Sequence, residues 1–297
     1  MRSKRDIVTS LIFGLLFLAS LSVMLYPTVS NWWNSNMASH NVAVYQEEVA
    51  RIDTAAYEQM LEEARAYNDE LSKLYAPFTD FEQIPGYEDV LNLSGTGIMG
   101  YISIPNINVE LPIYHGTSEG VLQVASGHIQ GSSLPVGGPG THAVISGHRG
   151  LPNAKLFTDL DQIVEGDVFT INILNEVLTY EVDKIRIILP DETDKLAVIP
   201  GEDTVTLMTC TPYGVNTHRL LIRGHRIRNL DEKRIKVSAD ALQVDSMTVI
   251  PAIFAPLLGL LLLWWGITGK RRKQIRIDKY MIQDLPRERG DGHGQTA

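Results

Sequence analysis

Two charge-free apolar runs, one near each end of the 297-residue chain, restrict its folding more than any other feature. Residues 7–26 and 247–268 are each long enough to cross the hydrocarbon core of a bilayer as a helix. The first follows "MRSKR" and the second precedes "GKRRKQIR", and such basic flanks favour the cytoplasmic side. The sequence therefore predicts two transmembrane helices, cytoplasmic tails at 1–6 and 269–297, and an exported segment at 27–246.

The first run also has the features of a secretory signal peptide, which is the alternative interpretation. No clear small-x-small cleavage site follows it, and this favours an uncleaved signal anchor. The two tails carry net charges of +2 and +4, so the net charge of −9 for the whole chain leaves −15 for the exported segment. An exported segment this acidic argues against nucleic acid as a partner and against a polybasic lipid-binding face.

The first part of the exported segment, residues 27–97, is predicted to be helical and then irregular. Apolar residues recur every three or four positions over 38–75, which is typical of an amphipathic helix. The simplest interpretation of that helix is a spacer between membrane and domain. Residues 76–97 contain two prolines and three glycines without a period, and they are predicted to form a loop.

From residue 98 the pattern changes to short, alternating segments separated by Gly, Pro and Asn. With little helix between them, these segments favour a mainly β fold, a closed β-barrel of about eight strands over 98–230, followed by a linker at 231–246. Residues 154–163 form the best candidate for a short helix between strands. The predicted strands are 98–105, 107–114, 141–146, 168–173, 178–188, 204–210 and 218–227.

Cys210 is the only cysteine of the chain, and it ends the apolar run "TVTLMTC". Most free cysteines are small buried hydrophobes, but a thiol at the mouth of a strand is also accessible to substrate. A cysteine nucleophile needs a base or ion-pair partner and a group that stabilises the oxyanion. Arg219 begins the following strand and could supply the group that stabilises the oxyanion. The spacing does not choose among the candidate histidines, which are His128, His142, His148, His218 and His225.

The sequence shows no metal-ligand spacing, so neither a metal nor another cofactor is expected. A single cysteine also excludes an intramolecular disulfide framework, although an extracellular compartment would permit one. The stability of the exported domain is therefore predicted to come from its own core.

Several motifs, in order, resemble those of sortases. "TLMTC" followed by "TPYGVNTHRLLIRGHR" resembles the sortase active-site strand, with Met208 at its variable position, and "SGHRG" resembles the histidine region of class C, pilus-assembling sortases. The resemblance covers residues 98–228. It implies a cysteine transpeptidase of the Gram-positive cell surface, with Cys210 as nucleophile, His148 as catalytic histidine and Arg219 as transition-state arginine.

The resemblance also implies substrates and partners. Such enzymes cleave an LPxTG-like sorting signal between Thr and Gly through a thioacyl-enzyme, and class C members pass the acyl group to a lysine of the next pilin. Pilin subunits with C-terminal LPxTG-like signals are therefore the expected partners, together with the membrane.

Class C sortases also resemble this chain in having a second membrane span and a lid over the active site. Their lid carries an Asp-Pro-aromatic motif. Here Pro77 and Phe78 are present, but Ala76 stands where the aspartate is expected. Without this aspartate, an ionic contact between the lid and the catalytic arginine is in doubt. Phe78 can still cover the site. Asp80 is a candidate replacement for the missing carboxylate.

Two other functions remain open at this point. One is a housekeeping sortase that attaches proteins to a cell-wall amine; such enzymes generally lack the C-terminal span and the lid. The other is a membrane-tethered β-barrel without catalytic activity, in which Cys210 is an inert buried thiol. Alkylation kinetics distinguish the second from an enzyme, because an inert buried thiol reacts slowly.

Overall fold

The computed structural model describes residues 4–93, 95–229 and 258–259. The second predicted span, the linker at 231–246 and the C-terminal tail thus lie outside the described residues, apart from 258 and 259. The helices are α1 (Lys4–Val49), α2 (Thr54–Leu71) and two single turns, α3 (Pro77–Asp80) and α4 (Glu119–Leu122).

Eight strands close into a barrel, which confirms the predicted fold class. Around the barrel the order is β1-β2-β3-β4-β7-β8-β6-β5. The pairs β2–β3 and β4–β7 are parallel, and the other six are antiparallel. The strands are β1 (Ile98–Ile104), β2 (Val109–His115), β3 (Ser126–His128), β4 (Thr141–Gly147), β5 (Val168–Ile173), β6 (Glu176–Ile188), β7 (Asp203–Thr211) and β8 (His218–Ile227).

Every second side chain along the strands points inward, and these side chains fill the barrel. In β4, β7 and β8, the inward-facing Ile145, Leu207 and Ile222 are completely buried in the main core. Because successive strand residues point to opposite faces, their neighbours Val144, Met208 and Leu221 face outward. These outward residues form a second, smaller apolar cluster. Cys210, two residues after Met208, lies on this outer face as well.

Two local predictions differ from the structure. Strand β3 has no counterpart among the predicted strands, because three residues are too short to show alternation, and its pairing depends on β2 and β4. The helix predicted at 154–163 is wrong apart from one 3₁₀ turn at Leu160–Gln162. Leu156 has a φ of +40°, which no right-handed helix accommodates, and it is buried in the main core.

The predicted helix at 38–75 is two helices, and it is not a spacer. The chain leaves α1 after Val49, and Asp53 begins α2 as an N-cap whose carboxylate accepts the N–H of Ala56 at 2.8 Å. The apolar side of both helices belongs to the main core, with Tyr45 and Ala64 almost fully buried. The helical segment is therefore an integral layer of the domain that contains the barrel.

Helix α1 is the one helix among the described residues that is long and apolar enough to cross a membrane, a test that a signal sequence near the N-terminus also passes. No residue of its most apolar window is buried, and large apolar side chains such as Phe13 and Leu15 are exposed. The helix continues without interruption beyond the predicted span at 7–26 until it packs on the barrel.

Candidate active site

Cys210 lies next to the end of β7, on its outer face. Alternation puts it on the same side as Met208, and the thiol is partly exposed. Between these two residues, Thr209 points the other way and its hydroxyl donates to the carbonyl of Gly147 at 2.8 Å. This bond ties the end of β7 to the end of β4 and so fixes the strand that carries the cysteine.

Arg219 is the direct cross-strand partner of Cys210 in the antiparallel β7–β8 pair. Such partners have Cβ atoms about 5 Å apart on the same face of the sheet. The Arg219 guanidinium donates to the carbonyls of His218 at 3.1 Å and Asn216 at 3.3 Å. These carbonyls lie at the β7–β8 connection, so that connection holds the guanidinium.

His148 is the first residue after β4. In the parallel β4–β7 pair, Ser146 is level with Met208, and the same register carried on by two residues brings His148 level with Cys210. Adjacent strands lie about 4.8 Å apart. The backbone of His148 is held by the N–H of Phe157, which donates to its carbonyl at 3.1 Å. The structure thus brings Cys210, His148 and Arg219 together at the ends of three neighbouring strands.

The ring of Phe157 packs closely against the backbone at the end of β4. A Cβ on Gly147 would lie 2.7 Å from a ring carbon of the fully buried Phe157. Only glycine lets this ring pack directly beneath the residue before His148. The position of the histidine is therefore fixed by packing as well as by a backbone hydrogen bond.

The other candidate histidines have different surroundings. His128 is fully buried, and its Nε2 lies 2.8 Å from the carbonyl of Ser133 while its Nδ1 lies 2.8 Å from the Tyr87 hydroxyl. Burial lowers the pKa of His128 to about 4. Burial also lowers the pKa of His142, whose Nε2 lies 2.7 Å from the Thr206 hydroxyl. These two rings are structural.

The remaining two candidates lie in β8. Alternation places His218 on the face opposite Arg219. His225 lies near the far end of the strand, 3.9 Å from the carboxylate of Asp183. Among the five candidate histidines, only His148 therefore shares a face and a strand end with Cys210.

The lid segment lies on the outer-face cluster. Phe78, in α3, is partly buried and packs against the cluster formed by Val144, Ile188, Leu196 and Leu221. A Cβ on Gly131 would lie 2.7 Å from the carbonyl oxygen of Pro77. Phe78 thus packs on the outer-face cluster that also includes Met208, two residues before Cys210 on the same face of β7.

The lid makes no ionic contact with the arginine in the part of the chain that the structure describes. Ala76 is the N-cap of α3 and has no side-chain acceptor for the helix N–H groups. The contacts of Arg219 are to backbone carbonyls close to it in sequence, and Asp80 does not pair with it within the described ranges. The segment predicted to be the lid packs on the barrel through the apolar side chain of Phe78.

A clamp that the sequence did not reveal connects the loops on either side of the site. Arg149 is largely buried, pairs with Asp161, and places its guanidinium 5.8 Å from the ring centre of Tyr213. A Cβ on Gly150 would also lie 3.1 Å from that ring. The clamp joins the loop after His148 to the loop after Cys210. Its only sequence signal is the pair of motifs "HRG" and "PYG", which nothing in the sequence connects.

Comparison with known proteins agrees with this geometry. The sortase domain family matches residues 102–227. Sortase D of Bacillus subtilis is 30% identical over 131 residues, covering 43% of this chain and 63% of that protein. Sortase A of Streptococcus agalactiae is 27% identical over 130 residues, covering 43% of this chain and 52% of that protein. The match therefore spans between half and two thirds of these curated relatives.

Solved structures extend the likeness. Sortase C1 of Streptococcus agalactiae is 48% identical, with a TM-score of 0.60, and the match covers 64% of this chain and all of that one. Sortase C of Streptococcus pneumoniae is 42% identical, with a TM-score of 0.58, over 64% of this chain and 97% of that one. The chain belongs to the sortase family. Within that family, its likeness to class C members is confirmed.

Proposed function

We propose that this protein is a membrane-anchored cysteine transpeptidase that polymerises pilins. The observation that carries the proposal is the placement of Cys210, Arg219 and His148 at adjoining positions on the outer face of the barrel. A nucleophile, a cation and an acid–base group at such spacing suit acyl transfer.

The reaction follows from these residue types. The Cys210 thiolate attacks the carbonyl carbon of the Thr–Gly bond in an LPxTG-like signal, and Arg219 stabilises the resulting oxyanion. As the C–N bond breaks, His148 gives its proton to the departing glycine amine. The ε-amine of a pilin lysine then attacks the thioester carbonyl and gives its proton to His148, and the isopeptide bond forms as the C–S bond breaks and the Cys210 thiolate leaves.

The apolar floor beneath Phe78 supports a substrate with an extended apolar stretch. Val144, Met208 and Leu221 belong to it, and Met208 lies two residues before Cys210 on the same face of β7. A peptide bound there displaces the lid residue, which couples entry of the signal to exposure of Cys210. The solved structure of Streptococcus pneumoniae sortase C bears on pilin substrate specificity in that enzyme, and this supports pilins as the substrate class.

The test is polymerisation by the full chain in detergent micelles or vesicles. A pilin with an LPxTG-like signal should give a ladder of covalent multimers with the unaltered chain and none with Cys210→Ala. Pilins whose lysines have been replaced should give no ladder. A chain that transfers the signal only to a cell-wall precursor amine would be a housekeeping sortase, and pilin polymerisation would be refuted.

A further inference from the structure

Helix α1 bonds directly to the loop that follows the candidate catalytic histidine. The side chain of Asn31 accepts the N–H of Lys155 at 2.7 Å, and that of Asn34 donates to the carbonyl of Asn153 at 2.8 Å. Two residues after Lys155, Phe157 bonds to the backbone of His148. A short chain of contacts thus leads from the anchor helix to the candidate active site.

Further along, the same helix bonds to the other end of the barrel. The hydroxyl of Tyr45 donates to the carbonyl of Met99 at 3.0 Å and accepts the N–H of Leu174, in the β5–β6 turn, at 2.7 Å. Asn31 and Tyr45 are separated by about 21 Å along the helix axis, at 1.5 Å per residue. The barrel therefore lies lengthwise against α1, with its active-site end toward the N-terminus.

Strand directions agree with this orientation. Strand β4 ends at Gly147, just before the loop that Asn31 and Asn34 bind, and β7 runs parallel to it. Both strands therefore point toward the anchor, and β8 starts from the same end with Arg219. The residues proposed for catalysis lie at the end of the barrel nearer to the predicted span.

The aromatic pair on α1 marks the height of the bilayer surface. Trp32 and Trp33 lie between the two asparagines, and they are 64% and 57% exposed. Exposed tryptophans next to an apolar span are typical of the membrane–water interface. Asn31 is about 8 Å beyond residue 26, where the apolar run ends, and a headgroup layer is about 5–8 Å thick. The bound loop is level with the outer edge of that layer.

From these contacts we propose that the loop at residues 149–155 rests on the headgroup layer of the bilayer that α1 crosses. Asn31 and Asn34 hold it there. Given the proposed function, the site then faces the membrane and receives signals whose scissile bond lies close to the membrane surface. The loop's two basic residues, Arg149 and Lys155, are both paired with aspartates, so the contact does not depend on anionic lipid.

The chain has one cysteine, so depth can be measured by labelling. In a Cys210→Ala background, Pro152→Cys puts a fluorophore on the proposed contact loop, and Asn175→Cys puts it on the exposed turn at the other end of the barrel. The full chain is reconstituted in phosphatidylcholine vesicles containing a headgroup-attached spin-label quencher. We expect several-fold stronger quenching at 152 than at 175, unchanged when phosphatidylglycerol is added.

Weak, equal quenching at both positions would overturn the proposal, as would stronger quenching at 175. A Leu16→Cys label with an acyl-chain quencher tests the span itself, and absence of quenching there also overturns the proposal. This readout requires no catalysis, so its result is separate from the outcome of the polymerisation assay.

The role of the two asparagines has its own matched control. Replacing Asn31 and Asn34 with alanine should reduce the quenching at position 152. Replacing Asn41 and Gln46 with alanine should leave it unchanged, because these residues bond to tyrosines elsewhere on the barrel. Equal effects in the two double variants would refute the assignment of Asn31 and Asn34 as the tether.

Discussion

Removing the aromatic ring of the lid should activate the enzyme by an amount that the packing predicts. Complete burial of a phenylalanine side chain contributes about 1.5–3 kcal/mol. Phe78 is only partly buried on its apolar cluster, so Phe78→Ala should weaken the closed lid by about 1 kcal/mol. A change of this size shifts the ratio of open to closed lid about fivefold. With a mostly closed lid, kcat/KM for a signal peptide should rise by the same factor.

The neighbouring Tyr75 provides the control. It is fully exposed, so Tyr75→Ala removes an aromatic ring close to the lid without removing packing. Peptide cleavage by both variants and the unaltered chain should be compared at low and high ionic strength. Because Ala76 supplies no carboxylate, the activation by Phe78→Ala should not depend on salt.

Two results would refute this reasoning. Equal rates for Phe78→Ala and Tyr75→Ala would show that the ring does not restrict access to Cys210. A rate that rises with salt in the unaltered chain but not in Phe78→Ala would show that an ionic contact holds the lid, contrary to the observed packing.

Three further predictions concern the proposed site and the packing of the barrel. Arg219→Lys should retain the fold but lower kcat by about 10²–10³, measured with a signal peptide, because a single ammonium replaces an oriented oxyanion donor. Gly147→Ala should reduce the free energy of unfolding by about 1–3 kcal/mol in denaturant titrations, since its Cβ meets the Phe157 ring; Gly120→Ala, with open space, is the control. Burial lowers the pKa of His128 to about 4, below its unfolded value of 6.5, so about 3 kcal/mol of stability present above pH 6.5 should be lost as the pH falls toward 4. His128→Gln should flatten that part of the pH–stability curve. An unchanged curve would show that protonation of His128 does not cause the loss of stability.

The barrel could be predicted from the sequence because its signal is local. Alternation in segments such as 168–173 and 204–210 reports directly which side chains face the core. Strand β3 and the turn at Leu156 depend on contacts with distant strands, so local pattern could not predict them. The break before α2 had a local signal in the cap Asp53, which the longer apolar period obscured.

The candidate active site was predictable in part. The motif around Cys210 and Arg219 lies within one hairpin, so its geometry follows from sequence order. The choice of histidine required tertiary information, because His128 and His142 differ from His148 in burial and partners. The resemblance to sortases supplied that choice from the sequence, and the strand register agrees with it.

The lid and the anchor show the limits of resemblance. Ala76 was visible as a departure from the family motif, but the packing of Phe78 on the outer-face cluster could be seen only in the structure. The contacts of Asn31 and Asn34 join residues more than a hundred positions apart, and no pattern in the sequence connects them.

The proposed chemistry depends above all on which residue carries the acyl group. The full chain should be mixed with an LPxTG-containing peptide in the absence of an amine acceptor, quenched in acid and digested for mass spectrometry. We expect a peptide mass, ending at the threonine of the signal, joined through a thioester to Cys210 and released by hydroxylamine. An acyl adduct on any other residue, or turnover by Cys210→Ala, would contradict the assignment of Cys210 as the nucleophile.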